Sequence, residues 1–146
     1  MNGMRIYLAE DDQDDINFFG EALGEVSDAS TLEVFGDGHD LLEHLKNGET
    51  LPEIIFLDIN MPVMNGLECL KRIRENSRFD HIPVIMLTTT SARATIELAY
   101  NDGANLFVKK PYNYRDPRAM IQFVVSGQFA EHRANTGLSN FLYNVQ

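Results

Sequence analysis

Three carboxylates in this sequence stand where an apolar run stops. Glu10 and Asp11 follow RIYLA (5–9), and Asp58 follows Ile54-Ile55-Phe56-Leu57. Two other polar side chains hold the same kind of position: Thr88 after PVIML (83–87), and Lys110 after NLFVK (105–109). A short apolar run bounded by turn formers reads as a strand, and an unbroken one as a strand buried on both faces. In an open α/β sheet the carboxyl ends of the strands are where ligands bind. Parallel strands would bring all five residues to one cleft. Three acids held together repel, and one takes up a proton unless a cation intervenes. A hard divalent cation answers that repulsion, and Mg²⁺ suits a site with few protein ligands and several waters. A metal beside a lysine is a place prepared for a phosphoryl group. A carboxylate left beside them can act as the nucleophile.

Singly, each residue has a plainer explanation. Asp58 could cap the turn that follows it. The acids from Glu10 to Asp15 could serve the N-terminus of a helix, with Asp12 or Asp14 as its N-cap. That accounts less well for Glu10 and Asp11, which come directly at the strand end. The elements around these residues decide between the readings. Ile16, Phe19, Leu23 and Val26 give a first helix its core-facing stripe. Thr31–Phe35 alternates and is β-rich, an edge strand. Leu41, Leu42 and Leu45 mark a second helix that Gly48 ends. Asn65-Gly66 opens a third, with Leu67, Leu70 and Ile73 inward and Lys71, Arg72 and Arg74 outward. Ala92, Ile96 and Ala99 make a weakly apolar fourth helix closed by Asp102-Gly103. Asp116-Pro117 predicts an N-cap with proline at the first helical position, and Met120, Ile121, Val124 and Val125 carry a fifth helix to about Gly127. Strand and helix alternate five times, which implies a parallel sheet with right-handed crossovers and helices on both faces.

Composition bounds the function. The chain has 146 residues, enough for one domain with a full core. Its formal charge of −10 argues against nucleic acid or an anionic membrane surface, both of which need a basic patch. Cys69 is the only cysteine, so no intramolecular disulfide can form; set among Leu67, Leu70 and Ile73 it reads as a small buried hydrophobe. No signal-peptide pattern is expected at the start and no apolar run approaches ~20 residues, so a cytoplasmic location is expected. His39, His44, His81 and His132 show no metal spacing and read as surface residues.

Taken in order, Glu10-Asp11, Asp58 in LDINMPVMNG, Thr88 in MLTTTS and Lys110-Pro111 in FVKKPY resemble the receiver domain of two-component response regulators. Asp58 precedes Thr88 by 30 residues and Thr88 precedes Lys110 by 22, spacings typical of that family. The resemblance covers residues 4–128, leaving 129–146 as a tail with no separate domain. It implies a flavodoxin-like, doubly wound sheet of five strands in the order 2-1-3-4-5. It implies that Asp58 accepts a phosphoryl group, and that Asp11, Asp58 and the backbone carbonyl of Asn60 bind Mg²⁺ directly while Glu10 holds a coordinated water. Thr88, the backbone N–H of Thr89, and Lys110 would bind phosphoryl oxygens. Lys110 rather than Lys109 is chosen because it precedes the proline, and a cis Lys110–Pro111 peptide is expected. Asp12 would be a bystander. Asn65-Gly66 stands where Asp-Gly is frequent. Thr88 and Phe107 would be the switch pair, Phe107 standing where tyrosine is common.

The function implied is a single-domain switch that catalyses only its own phosphorylation and dephosphorylation. A histidine kinase or phosphotransfer protein would be the donor. No helix-turn-helix pattern or basic recognition helix is visible, so the signal would leave by protein–protein contact. The face made by the fourth helix, fifth strand and fifth helix would receive a downstream protein or a second copy in a homodimer. The rival classes are an aspartyl-phosphate-type phosphohydrolase and a receiver-like binding module that is not phosphorylated. The hydrolases place an aspartate two residues after the nucleophile, where this chain has Asn60. The tail keeps Phe129, Leu138, Phe141, Leu142 and Tyr143 without a period. Either it frays, or it packs on its own domain or on a second copy.

Overall fold

Burial along each strand alternates between two cores, one on each face of the sheet. On one side Ile6, Leu8, Ile54, Phe56, Ile85, Leu87, Leu106 and Val108 pack against Phe19 and Leu23 of one helix and Met120, Ile121 and Val124 of another. On the other, Tyr7, Ala9, Ile55, Leu57, Met86 and Phe107 meet Leu41, Leu45, Leu70, Ile73 and Ala99. Side chains in a strand point to opposite faces with period two, so parity in the sequence assigns each residue its core. The computed structural model describes residues 3–111, 114–126, 128–129 and 141–144. The elements run β1 (Arg5–Ala9), α1 (Gln13–Val26), β2 (Thr31–Phe35), α2 (Gly38–Asn47), β3 (Ile54–Asp58), α3 (Gly66–Arg74), β4 (Val84–Thr88), α4 (Arg93–Asn101), β5 (Leu106–Lys109), α5 (Arg118–Val125) and β6 (Leu142–Asn144).

Five parallel strands stand in the expected order, β2-β1-β3-β4-β5, and β6 extends the sheet beyond β5. The sixth strand comes from the tail and pairs parallel to β5, with Phe107 opposite Leu142 and Lys109 opposite Asn144. Periodicity could not reveal it, because three residues carry no period. Leu138 and His132 lie outside the described residues. β3 and β4 are buried along their whole length, as unbroken apolar runs demand, whereas β2 is largely exposed at its edge.

Side-chain caps start three of the helices. Asp12, Asp37 and Asn65 each accept from the backbone N–H three residues on, at 3.0, 2.8 and 2.9 Å. Asn65 thus serves where aspartate is frequent. α5 begins one residue later than expected. Pro117 holds the cap position, and Asp116 spends its carboxylate on the Arg118 N–H (3.1 Å) and guanidinium (2.8 and 2.7 Å).

Arg74, expected to face outward, turns in. It donates to the carbonyls of Gly103 (3.0 Å), Phe79 (2.9 Å) and Ile82 (2.9 Å) and to Asn105 Oδ1 (3.0 Å). Asn105 Oδ1 also accepts from the Val84 N–H at 2.8 Å. The 3₁₀ turn at Ser77–Phe79 and the turn before β5 leave carbonyls needing donors, and a guanidinium carries five.

Candidate phosphoacceptor site

The parity that sorts the cores also aims the site. Glu10, Asp58 and Lys110 continue the even-numbered positions of β1, β3 and β5, on the α1/α5 side of the sheet. They meet above the strand ends: Lys110 Nζ lies 3.4 Å from Asp58 Oδ2 and in direct contact with Glu10 Oε1. Lys109, one position earlier, is exposed, while Lys110 is buried. The Lys110 N–H donates to the Thr88 carbonyl at 2.7 Å, which fixes the chain as it leaves the sheet. The cis peptide expected at Lys110–Pro111 is absent, as no cis bond occurs among the described residues. Trans is the lower-energy isomer for X–Pro, and the lysine reaches the cleft from it.

Glu10, Asp11 and Asp58 bring one carboxylate oxygen each within 4.8 Å of one another. Glu10 and Asp58 are buried and Asp11 is exposed at the mouth. Asp58 Oδ1 accepts from the Asn60 N–H at 3.2 Å, which orients the carboxylate. Gly66 lets the following loop fold back on it: a Cβ there would lie 2.2 Å from the Asp58 carbonyl oxygen. Thr88 is fully buried at the end of β4, and its Oγ1 accepts from the Thr90 N–H at 3.3 Å; Thr89 is exposed. Thr88 shares its odd-even parity relation with Phe107, in that both point to the α3/α4 side of the sheet, as Met86 does.

Two participants escape the sequence reading. Asp15 Oδ2 lies 2.9 Å from Lys110 Nζ, nearer than Asp58. Asp15 stands in the first turn of α1, where the helix-start pattern already accounts for an acid. Tyr114 lays its ring 5.3 Å from the ammonium, and its buried hydroxyl has no hydrogen-bond partner among the described residues. It sits in a loop, where no periodicity points to it.

The electrostatics follow from crowding. Burial, then the contact with Asp58, pushes Glu10 up to about 7, against the pull of Lys110. Burial likewise raises Asp15 despite the same lysine. Burial alone would lower the Lys110 ammonium, but Asp58, Glu10 and Asp15 outweigh it and hold the charge on. The Lys110 ammonium contacts three carboxylates, and Asp11 adds a fourth to the cleft. The donor set is all oxygen and over-charged, and it fits a hard divalent cation.

Residues 6–122 match the response regulator receiver domain. The chain is 27% identical over 121 residues to the probable methanogenesis regulatory protein FilR2 of Methanothrix harundinacea, covering 80% of this chain and 78% of that one. It is 42% identical over 73 residues to the chemotaxis protein CheY1 of Helicobacter pylori, a stretch that is 50% of this chain and 59% of CheY1. The Mn²⁺-bound form of the response regulator Rcp1 superposes with a TM-score of 0.78 at 27% identity, covering 86% of this chain and 94% of that one. Strand order, strand-end carboxylates and sequence relatives agree, and this chain belongs to the response regulator receiver domain family.

Proposed function

We propose that Asp58 is the phosphoacceptor of a signalling switch whose donor is a histidine kinase or a phosphotransfer protein. The observation that carries it is the Asp58 carboxylate at the end of the central strand, beside the Lys110 ammonium and two further carboxylates. An Asp58 oxygen attacks phosphorus, the P–N bond of the donor imidazole breaks, and its electron pair leaves with the imidazole, which takes a proton. Lys110 is already charged and buried against Asp58, so it needs no reorganisation to pair with an incoming phosphoryl oxygen. The Thr88 hydroxyl and the Thr89 N–H supply donors from the end of β4. Glu10, Asp11, Asp58 and the Asn60 carbonyl would hold Mg²⁺, which neutralises phosphoryl charge when bound. Asn60 cannot do the proton work of a hydrolase acid, which disfavours action on an external substrate.

The receiver unit spans residues 4–128 in this reading, with 129–146 as its tail, and the protein works in the cytoplasm. No helix among the described residues is long and apolar enough to cross a membrane. The signal leaves through the face of α4, β5 and α5. Phosphorylation draws Thr88 toward Asp58, and Phe107, on the same side of the sheet, moves into the space vacated. Acetyl phosphate with Mg²⁺ should shift the protein on a Phos-tag gel. Asp58→Asn should abolish the shift; undiminished labelling of that variant, with its fold intact, would sink the assignment.

A further inference from the structure

The β5 edge of the proposed output face already has an occupant. β6 pairs with β5 through the backbone along Phe107, Val108 and Lys109. Phe141, the residue before it, is buried, with its ring 5.2 Å from Tyr100 on α4 and 5.9 Å from Phe107 on β5. Phe141 belongs to the same core cluster as Phe107, Met86 and Ala99. It bridges helix and strand at the place where a partner would have to sit. Phe107 itself is fully buried beneath this contact.

We propose that residues 141–144 are a built-in competitor for the output face, released when Asp58 is loaded; this rests on the reading of Asp58 as phosphoacceptor. The coupling runs through one aromatic contact. Thr88 and Phe107 share a side of the sheet, so a shift of Thr88 toward Asp58 draws Phe107 inward. Phe141 then loses one of the two ring partners it has among the described residues. What remains is a three-residue edge strand in parallel pairing, which is slightly less stable per residue than antiparallel pairing. Local openings of such edges cost little, so losing one aromatic contact shifts the balance. A downstream protein gains both the β5 edge and the pocket that Phe141 leaves beside Tyr100. Because the segment belongs to the same chain, its docking is set by effective concentration and not by protein concentration.

Amide exchange on the full-length protein tests this, with and without Mg²⁺ and beryllofluoride, at two protein concentrations. Loading should speed exchange about tenfold at 142–144 and 106–109, equally at both concentrations, while residues 88–90 report that the site is occupied. In Phe141→Ala the same amides should exchange fast before loading. A response at 88–90 with none at 142–144 would overturn the proposal and leave the phosphoacceptor reading standing. No response at either place would remove both. Protection at 142–144 that rises with protein concentration would assign the strand to a second copy and overturn the intramolecular competitor. Unchanged exchange in Phe141→Ala would also overturn it, since the aromatic contact would then not hold the strand.

Discussion

Glu10 shows how much of the cleft's behaviour is set by one crowded carboxyl. Burial and Asp58 raise it from 4.5 to about 7, so the folded state holds more protons than the unfolded one between those values. Stability therefore falls as pH rises through that window. The effect is on the order of 1–3 kcal/mol without divalent metal. Glu10→Gln should flatten urea-derived stability between pH 5 and 7; a slope as steep as in the parent protein would show that Glu10 is not its source. Val63 shows a different cost. It is the only non-glycine residue among those described with positive φ, at 64°, and it is exposed, while the Met64 N–H reaches the Pro62 carbonyl at 2.6 Å. A β-branched residue held there stores about 1–3 kcal/mol. Glycine relieves it but adds roughly 0.5–1 kcal/mol of unfolded-chain entropy. Val63→Gly should thus stabilise by about 1 kcal/mol. Val63→Ala, still left-handed, should gain less, and equal gains in urea unfolding would argue against backbone strain.

At the scale of elements, the sequence was legible where a pattern had room to repeat. The strands β3 and β4 read directly because an unbroken apolar run has one stable home, between two helical layers. The site followed from them, since parallel strands share an edge. Asp15 and Tyr114 were not legible in that way: one was absorbed into a helix-start pattern, the other sits in a loop. Arg74 was misread because a helix-face argument counts charge and cannot see the carbonyls of a turn packed beside it. That arginine ties the end of α3 to the 3₁₀ turn and to the approach to β5. Arg74→Ala leaves several half-buried carbonyls unpaired at once, which should cost about 2–4 kcal/mol. Arg74→Lys, with one compact ammonium in place of a planar fork, should recover less than half of it. Thermal unfolding of both variants checks this, and a loss below about 0.5 kcal/mol for alanine would reduce the network to a surface ornament.

At the scale of the whole molecule, the chain carries a net charge of −10 and concentrates four of its acids at one sheet edge. Two effects of added cations then need separating. Diffuse screening relieves self-repulsion over the whole surface and depends on ionic strength. Binding at Glu10, Asp11 and Asp58 would depend on the identity of the ion, because a compact divalent cation draws three oxygens together where diffuse monovalent ions do not. An ion that binds the folded state alone stabilises it by RT ln(1 + [L]/Kd), about 2.7 kcal/mol at a hundred times Kd. For a chain of this size that corresponds to roughly 5–10 °C in Tm. The gain should be smaller at pH 5 than at pH 7.5, since metal must displace the proton that burial places on Glu10. We therefore expect Mg²⁺ to raise Tm at fixed ionic strength, and Asp11→Asn, exposed at the mouth and remote from the core, to lose most of that gain while keeping its metal-free Tm. Matched NaCl should not reproduce it. Equal shifts from NaCl and MgCl₂, or an undiminished Mg²⁺ shift in Asp11→Asn, would place the stabilisation in the surface field and leave the acidic cleft without a metal of its own.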